Sequence, residues 1–286
     1  MIRLSGVVAA AATPLRADLS IDLDRLVEHC RWLLAHGCDG INLLGTTGEA
    51  TSFSVAQRLA AMEAVAGSGI PLRTLMVGTG AAALEDAVTL TRAARDLGFA
   101  GALLLPPFYY KGLDDAALTL CIQAVIDRVG REGLRLYLYN FPQNTGVPYP
   151  LAVVQRLKAA NPEVLVGLKD SSGDMDYARG MAREVADFDV FPSAEGAIGE
   201  AARSGFKGCI SATANLTGPF AADAWRSPGT AAGEAALAKA VALRQAIGRV
   251  TLVPGVKSAL ARLRGDPASR LVCQPLRPLD EVEEAR

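Results

Sequence analysis

An apolar run at 165–168 is followed directly by a lysine, L-V-G-L-K, and then by D-S-S-G. Lysines are sparse in this chain (Lys111, Lys158, Lys169, Lys207, Lys239 and Lys257), and arginine carries most of the positive charge. At the end of a buried strand, a lysine is a solvated terminus, a salt-bridge partner, or an amine held where its charge is costly. The third case has chemical content. Desolvation favours the neutral amine, and a neutral amine attacks ketones to form a Schiff base. That chemistry needs a proton shuttle. Tyr139 ends the preceding apolar run and supplies a hydroxyl, relayed through Thr47 or Tyr110. A 2-oxo acid also needs donors for its carboxylate. Thr46 and Thr47, in G-T-T-G-E at 45–49, offer hydroxyls and backbone N–H groups facing the next helix. Plainer readings stand beside these. Thr46, Thr47 and Gly48 also suit a simple turn, Glu49 a helix N-terminal charge, and Tyr109 and Tyr110 an exposed lid or subunit contact.

Apolar runs of strand length alternate with segments of helical period along most of the chain. The runs lie at 6–12, 40–44, 72–77, 102–105, 134–139, 164–168, 188–191 and 208–211. Helices are expected at 21–35, 54–66, 83–97, 114–129, 151–160, 175–185 and 198–204, with Gly37, Gly98 and Gly130 as stops. Such alternation implies parallel strands with helical crossovers, and about eight units favour closure into a barrel. A doubly wound sheet is not excluded by spacing, but no G-x-G-x-x-G occupies the first turn. The expected fold is therefore α/β, a (β/α)8 TIM barrel over residues 1–215. Helices near 221–225, 231–247 and 256–263 form a C-terminal helical extension, 216–286, of the same domain. In this fold reactive groups gather at the C-terminal strand ends. Tyr139 and Lys169 end neighbouring strands and point into one mouth, whereas Lys207 precedes its strand and lies at the opposite end.

Half of the 286 residues are hydrophobic and the net charge is −1, which suits a large buried core. No basic block argues for nucleic acid, and no polyacidic tract for a solvating role. No run approaches the roughly 18 to 20 apolar residues of a membrane span. The segment 1–14 is read as a first buried strand rather than a secretory leader. Five scattered cysteines without a C-x-x-C pair suit reduced thiols and a cytoplasmic location. His29 and His36 share a helix face, but nothing supplies further ligands, so no metal is expected.

Three motifs carry a resemblance: G-T-T-G-E at 45–49, Y-N-F-P at 139–142 and G-L-K-D-S-S-G-D at 167–174. With G-T-G at 78–80, Tyr109-Tyr110 and I-S-A-T-A-N at 210–215, they resemble the dihydrodipicolinate synthase / N-acetylneuraminate lyase family along nearly the whole chain. The resemblance implies class I chemistry with no cofactor beyond a covalent lysine Schiff base to pyruvate or another 2-oxo acid. It also implies a homotetramer built from dimers. Carried over, Lys169 is the Schiff-base lysine, Tyr139 the proton shuttle and Thr47 its relay partner. Thr46 and Thr47 hold the carboxylate, Ile210 lines the pocket, and Tyr110 reaches into a partner's site. Asn144 and Glu195 are expected to bind the remainder of the substrate, with Thr79, Ser193 and Asn215 nearby.

One departure bears on the substrate. Dihydrodipicolinate synthases continue Y-N-x-P with x-R-T-G, and the arginine serves a substrate carboxylate. Here the segment reads Gln143-Asn144-Thr145-Gly146, and no arginine lies between Arg135 and Arg156. Asparagine makes no bidentate charged pair. The expected function is then a lyase acting on a 2-keto-3-deoxy sugar acid or a 4-hydroxy-2-oxo acid, releasing pyruvate or dehydrating the substrate. The alternatives are a synthase condensing pyruvate with aspartate semialdehyde, and a non-catalytic 2-oxo acid binding protein.

Overall fold

A computed structural model describes residues 3–285. Eight strands form one parallel sheet: β1 (Gly6–Ala10), β2 (Gly40–Leu43), β3 (Leu75–Gly78), β4 (Gly101–Leu104), β5 (Leu136–Asn140), β6 (Leu165–Asp170), β7 (Asp189–Pro192) and β8 (Gly208–Ser211). Their order is β7-β6-β5-β4-β3-β2-β1-β8. The remaining gap is bridged where Lys207 N donates to Val190 O at 3.0 Å. The fold is a (β/α)8 TIM barrel with C-terminal helices. The segment 1–14 contributes β1 at its centre, and its first two positions lie outside the described residues.

Local chemistry explains the helices. Asp22, Asp114 and Asp174 cap Leu23–Ala35, Asp115–Val129 and Met175–Glu184 through side-chain bonds to free N–H groups. Ser54 and Gln57 form a reciprocal capping box on Val55–Ala66. Gly98 closes Leu84–Leu97 in the left-handed conformation. Between these helices and the sheet lies one large apolar cluster, holding residues such as Leu33, Met62, Leu90 and Leu157. Each such side chain contributes roughly 1.5–3 kcal/mol on burial. A smaller cluster fills the barrel interior, with Val8, Met76, Leu103, Tyr137, Val166, Phe191 and Ile210.

The β5–β6 register decides what faces inward. Leu136 pairs with Leu165, but Tyr137 pairs with Gly167, so Val166 is an extra residue in β6. A one-residue slip exchanges the faces of a strand. Here the bulge sets Lys169 opposite Tyr139 and turns both inward. Gly167 has no room for a side chain, since a Cβ would lie 2.7 Å from the Tyr137 ring and 2.4 Å from Asp189 O.

Several boundaries differ from the sequence expectation. Residues 72–74 form a 3-10 turn after Pro71 rather than the start of β3. The helix expected at 198–204 is a 3-10 turn, Glu195–Glu200, running into a short α-helix, Ala201–Ser204. Pro142–Thr145 adds an unexpected single helical turn. Beyond β8, helices span Ala214–Arg226, Ala231–Ile247 and Leu252–Arg264. The division expected at 215/216 falls within the first turn of the first of these.

The C-terminal segment is tied to the barrel through Glu49. The buried Lys257 ammonium pairs with Glu49 Oε1 and donates to Leu271 O at 2.7 Å. Cys273 N donates to Glu49 Oε2 at 2.6 Å. Burial pulls the Lys257 ammonium below its ordinary range, and the Glu49 charge opposes that shift.

Candidate active site

Lys169 and Tyr139 sit side by side near the C-terminal mouth of the barrel. Lys169 is 3 % exposed, and its Nζ lies 4.2 Å from the Tyr139 ring centroid, within cation–π range. The strand ends that carry them are locked together. Asn140 Nδ2 donates to Asp170 Oδ1 at 2.8 Å, and Ser172 Oγ donates to Asp170 Oδ2 at 2.9 Å. Burial raises the Asp170 carboxyl above its usual range despite those bonds.

The electrostatics of Tyr139 are a contest. Burial pushes its hydroxyl up, while the Lys169 charge and hydrogen bonds with Thr46, Ser171 and Lys169 pull it down. The pull prevails, and the phenol is held below its ordinary range. A phenol so biased exchanges a proton more readily with a substrate oxygen near neutral pH.

The G-T-T-G-E loop approaches from β2. Leu44 and Glu49 both adopt left-handed conformations, at φ 49° and 55°. Two such residues around one short loop represent strain held by the surrounding structure. Leu44 O also lies 2.2 Å from where a Cβ on Gly78 would stand, so only glycine fits there. The loop brings Thr46 Oγ1 to 3.3 Å from Tyr139 Oη. Thr47 was expected as the relay partner, but it makes no bond to Tyr139 among the described residues. The adjacent hydroxyl is that of Thr46, and Thr47 is buried beside it at the cavity wall.

A cavity of about 510 Å³ opens above these groups, lined by Thr46, Thr47, Tyr139, Lys169, Ser171, Ser193 and Ile210. Asn144, on the single turn Pro142–Thr145, reaches its rim. A second cavity of about 450 Å³ shares the Thr46, Tyr139, Phe141 and Asn144 walls and extends toward Arg58. Arg58 donates to Gly80 O and Gly78 O at 3.0 and 2.9 Å. Burial pulls its guanidinium down to about 10.

Glu195 does not line either cavity. It is wholly buried, and its Oε1 accepts from Ser211, Thr213 and Thr217 hydroxyls at 2.9, 2.7 and 2.7 Å. The 3-10 turn after β7 folds this carboxylate behind the cavity wall. Thr79 is likewise buried and bonded by Thr91 Oγ1 at 2.9 Å. Asn215 holds β1 through Ala10 O at 2.8 Å and faces His29 at 2.9 Å. Of the residues expected around the far half of the substrate, Ser193 and Asn144 line the cavity. Tyr110 is 72 % exposed and packs edge-on against Tyr109, with ring centroids 5.3 Å apart. Among the described residues no hydrogen bond or ring contact joins it to Tyr139 or Thr47.

Sequence reasoning missed Arg244. It projects from Ala231–Ile247 into the larger cavity, and no strand-end rule points to it. The only signal was that this helix exceeds what a barrel requires. Among the described residues, no group of three or more His, Cys, Asp and Glu is placed to hold a metal. No helix among them is long and apolar enough to cross a membrane.

A model of the dihydrodipicolinate synthetase family matches residues 3–286. The chain belongs to this family. It is an enzyme of the family's class I lyase type. A DapA-like lyase of uncharacterised activity from Chloroflexus aurantiacus is 34 % identical over 284 residues, covering 98 % of this chain and 93 % of that protein. Among solved structures, YagE of the dihydrodipicolinic acid synthase family from E. coli K12, in complex with pyruvate, superposes with a TM-score of 0.89 at 25 % identity. It covers 99 % of this chain and 95 % of its own. Dihydrodipicolinate synthase from Agrobacterium tumefaciens superposes with a TM-score of 0.86 at 28 % identity, covering 99 % and 96 %.

Proposed function

We propose that this lyase cleaves a 4-hydroxy-2-oxo acid, or a 2-keto-3-deoxy sugar acid of the same core, and releases pyruvate. The observation that carries the reading is the inward pairing of Lys169 and Tyr139, with Thr46 in reach of the phenol, beneath a cavity of about 510 Å³. The relative crystallised with pyruvate supports the 2-oxo acid end.

In this mechanism the Lys169 ammonium passes a proton to the Tyr139 phenolate, the freed amine adds to the C2 ketone, and loss of water, with Tyr139 returning the proton, yields an iminium ion. Thr46 and Thr47 hold the C1 carboxylate through hydroxyl and backbone N–H donors. Tyr139, as phenolate, accepts the proton of the C4 hydroxyl. The C3–C4 bond then breaks, its electron pair moves into the iminium as an enamine, and an aldehyde departs. A proton returns to C3, water hydrolyses the imine, and pyruvate and free Lys169 result. Dehydration branches from the uncleaved iminium: a base removes a C3 proton instead, and the resulting enamine expels the C4 hydroxyl, which takes up that proton and leaves as water. No cofactor is required. Ile210 forms the apolar wall beside the pyruvyl group, Asn144 meets the substrate at the rim, and Glu195 fixes that wall from behind.

The same reading includes a single domain, with 1–215 as barrel and 216–286 as its extension, and a cytoplasmic homo-oligomer. The exposed Tyr110 fits a subunit contact that completes a neighbouring site. A second reading, condensation of pyruvate with aspartate semialdehyde, is favoured by Arg244, which supplies a cation to the cavity where Asn144 does not.

Borohydride reduction in the presence of pyruvate tests the chemistry. The expected result is a reduced pyruvyl adduct on Lys169 by peptide mass, absent from Lys169→Ala, whose turnover falls on the order of 10⁴-fold or more. An unlabelled Lys169 in folded protein would sink the reading. Pyruvate release from 4-hydroxy-2-oxo acids, set against consumption of aspartate semialdehyde, separates the two reactions.

A further inference from the structure

The larger cavity holds a second cation whose placement goes beyond packing. Arg244 leans from the C-terminal helix Ala231–Ile247 over the cavity wall near Ser193 and Ile210. One corner of its guanidinium is fixed. Nη1 donates to Ser211 Oγ at 3.1 Å and Thr213 Oγ1 at 3.2 Å, and lies 3.4 Å from Glu195 Oε2. All three anchors are fully buried. Nε and Nη2 have no hydrogen-bond partner among the described residues, and 30 % of the side chain remains exposed.

A guanidinium clamped at one nitrogen, on a side chain that lines a cavity and keeps its other donors unbonded, is pre-organised for a planar anion. Glu195 takes no part in that recognition. Three hydroxyls and Arg244 occupy its oxygens, so it orients the cation rather than meeting the ligand. Lys169, Thr46 and Thr47 line the same cavity, so a 2-oxo acid joined to Lys169, with its C1 carboxylate on the threonines, has Arg244 within the same enclosure for an acidic far end.

Resting on the Schiff-base reading above, we infer that Arg244 selects the substrate's far end: the enzyme prefers 2-oxo acids that carry a second, distal carboxylate. The cation that the Asn144 turn does not supply comes from the C-terminal extension. Arg244 binds the tail through Nη2 and Nε, and no bond is made or broken there.

The test uses trapping on Lys169 rather than turnover. The full-length protein is reduced with borohydride over a concentration series of 2-oxoglutarate, and separately of 2-oxohexanoate, a chain of similar length with an uncharged tail. Wild-type protein is expected to half-saturate with 2-oxoglutarate at a concentration about 10- to 100-fold lower. In Arg244→Gln that ratio collapses to within about threefold, and Arg244→Lys restores part of it. High salt narrows the wild-type ratio, which keeps the inference testable if the glutamine variant does not fold. Adducts that form with no dependence on the tail, or a ratio that survives Arg244→Gln, would overturn the inference alone. Absence of any adduct on wild-type Lys169 would overturn the Schiff-base reading, and this inference with it.

Discussion

Tyr137 and Tyr139 lie two residues apart on the same strand, face the same barrel interior and are both almost fully buried. Their hydroxyls are nevertheless driven in opposite directions. Burial raises Tyr137, and the neighbouring Asp189 carboxylate raises it further, outweighing the opposing Arg3 charge. Its hydroxyl donates to Asp189 Oδ2 at 3.4 Å and stays protonated. Tyr139 suffers the same desolvation, but its neighbour is the Lys169 ammonium, and the net shift is downward. Depth in the barrel does not distinguish a structural phenol from a reactive one. The sign of the adjacent charge does.

The sharpest way to break this contrast is to remove each hydroxyl in turn. Tyr139→Phe is expected to lower kcat by about 10²–10⁴-fold, the usual contribution of a positioned acid or base. Tyr137→Phe should leave kcat within about threefold and change unfolding free energy by about 1 kcal/mol, the scale of one hydrogen bond. Steady-state pyruvate release and urea unfolding measure the two. Equal kinetic losses would end the distinction.

A second contrast separates activity from stability along the pH axis. Activity should rise with pH through the Tyr139 ionisation, on a limb below the usual tyrosine value of about 10. Stability should fall on the acid side, because of His29. Burial drives that imidazole down to about 4 despite its bond to Asn215. The unfolded chain, with a histidine near 6.5, then binds the proton first. Stability is complete above 6.5 and is lost as pH falls toward 4, by about 3 kcal/mol in total. Urea midpoints from pH 7 to pH 4, compared with His29→Gln, should show the slope flatten in the variant.

The smallest expected effect discriminates the two threonines. Thr46→Val removes a bond that lowers Tyr139, so the alkaline limb should move upward and kcat fall about tenfold at neutral pH. Thr47→Val should leave the limb in place and act on KM. A reversed pattern would return the relay to Thr47.

The barrel and the Lys169–Tyr139 pair were legible because both depend on runs of one residue class. Eight apolar runs give parallel strands, and residues that end adjacent strands share a mouth. What was not legible depends on backbone detail. Whether Thr46 or Thr47 meets Tyr139 is set by the left-handed turns at Leu44 and Glu49. A strand-end carboxylate such as Glu195 reads as substrate-facing until the 3-10 turn after β7 folds it inward. The face on which Lys169 emerges depends on the extra residue at Val166, which periodicity alone cannot count. Arg244 reaches the cavity from a helix that begins twenty residues after β8, and only the tertiary packing of that helix places it.

The Glu49 anchor has a consequence for how the molecule is made. All eight strands have been synthesised once residue 211 has left the ribosome, yet the carboxylate that holds the G-T-T-G-E loop still lacks its partners. Lys257 and the Cys273 N–H lie well beyond β8 and are made after it. An unpaired carboxylate does not stay buried, so a nascent barrel carries an open catalytic loop until the segment 257–273 docks. A chain stopped at residue 250 is expected to be cut by protease within residues 44–52, where the chain of residues 1–286 resists. The segment 257–273 thereby acts as a completion signal, keeping the lysine's pocket unformed until that segment has been made and has docked.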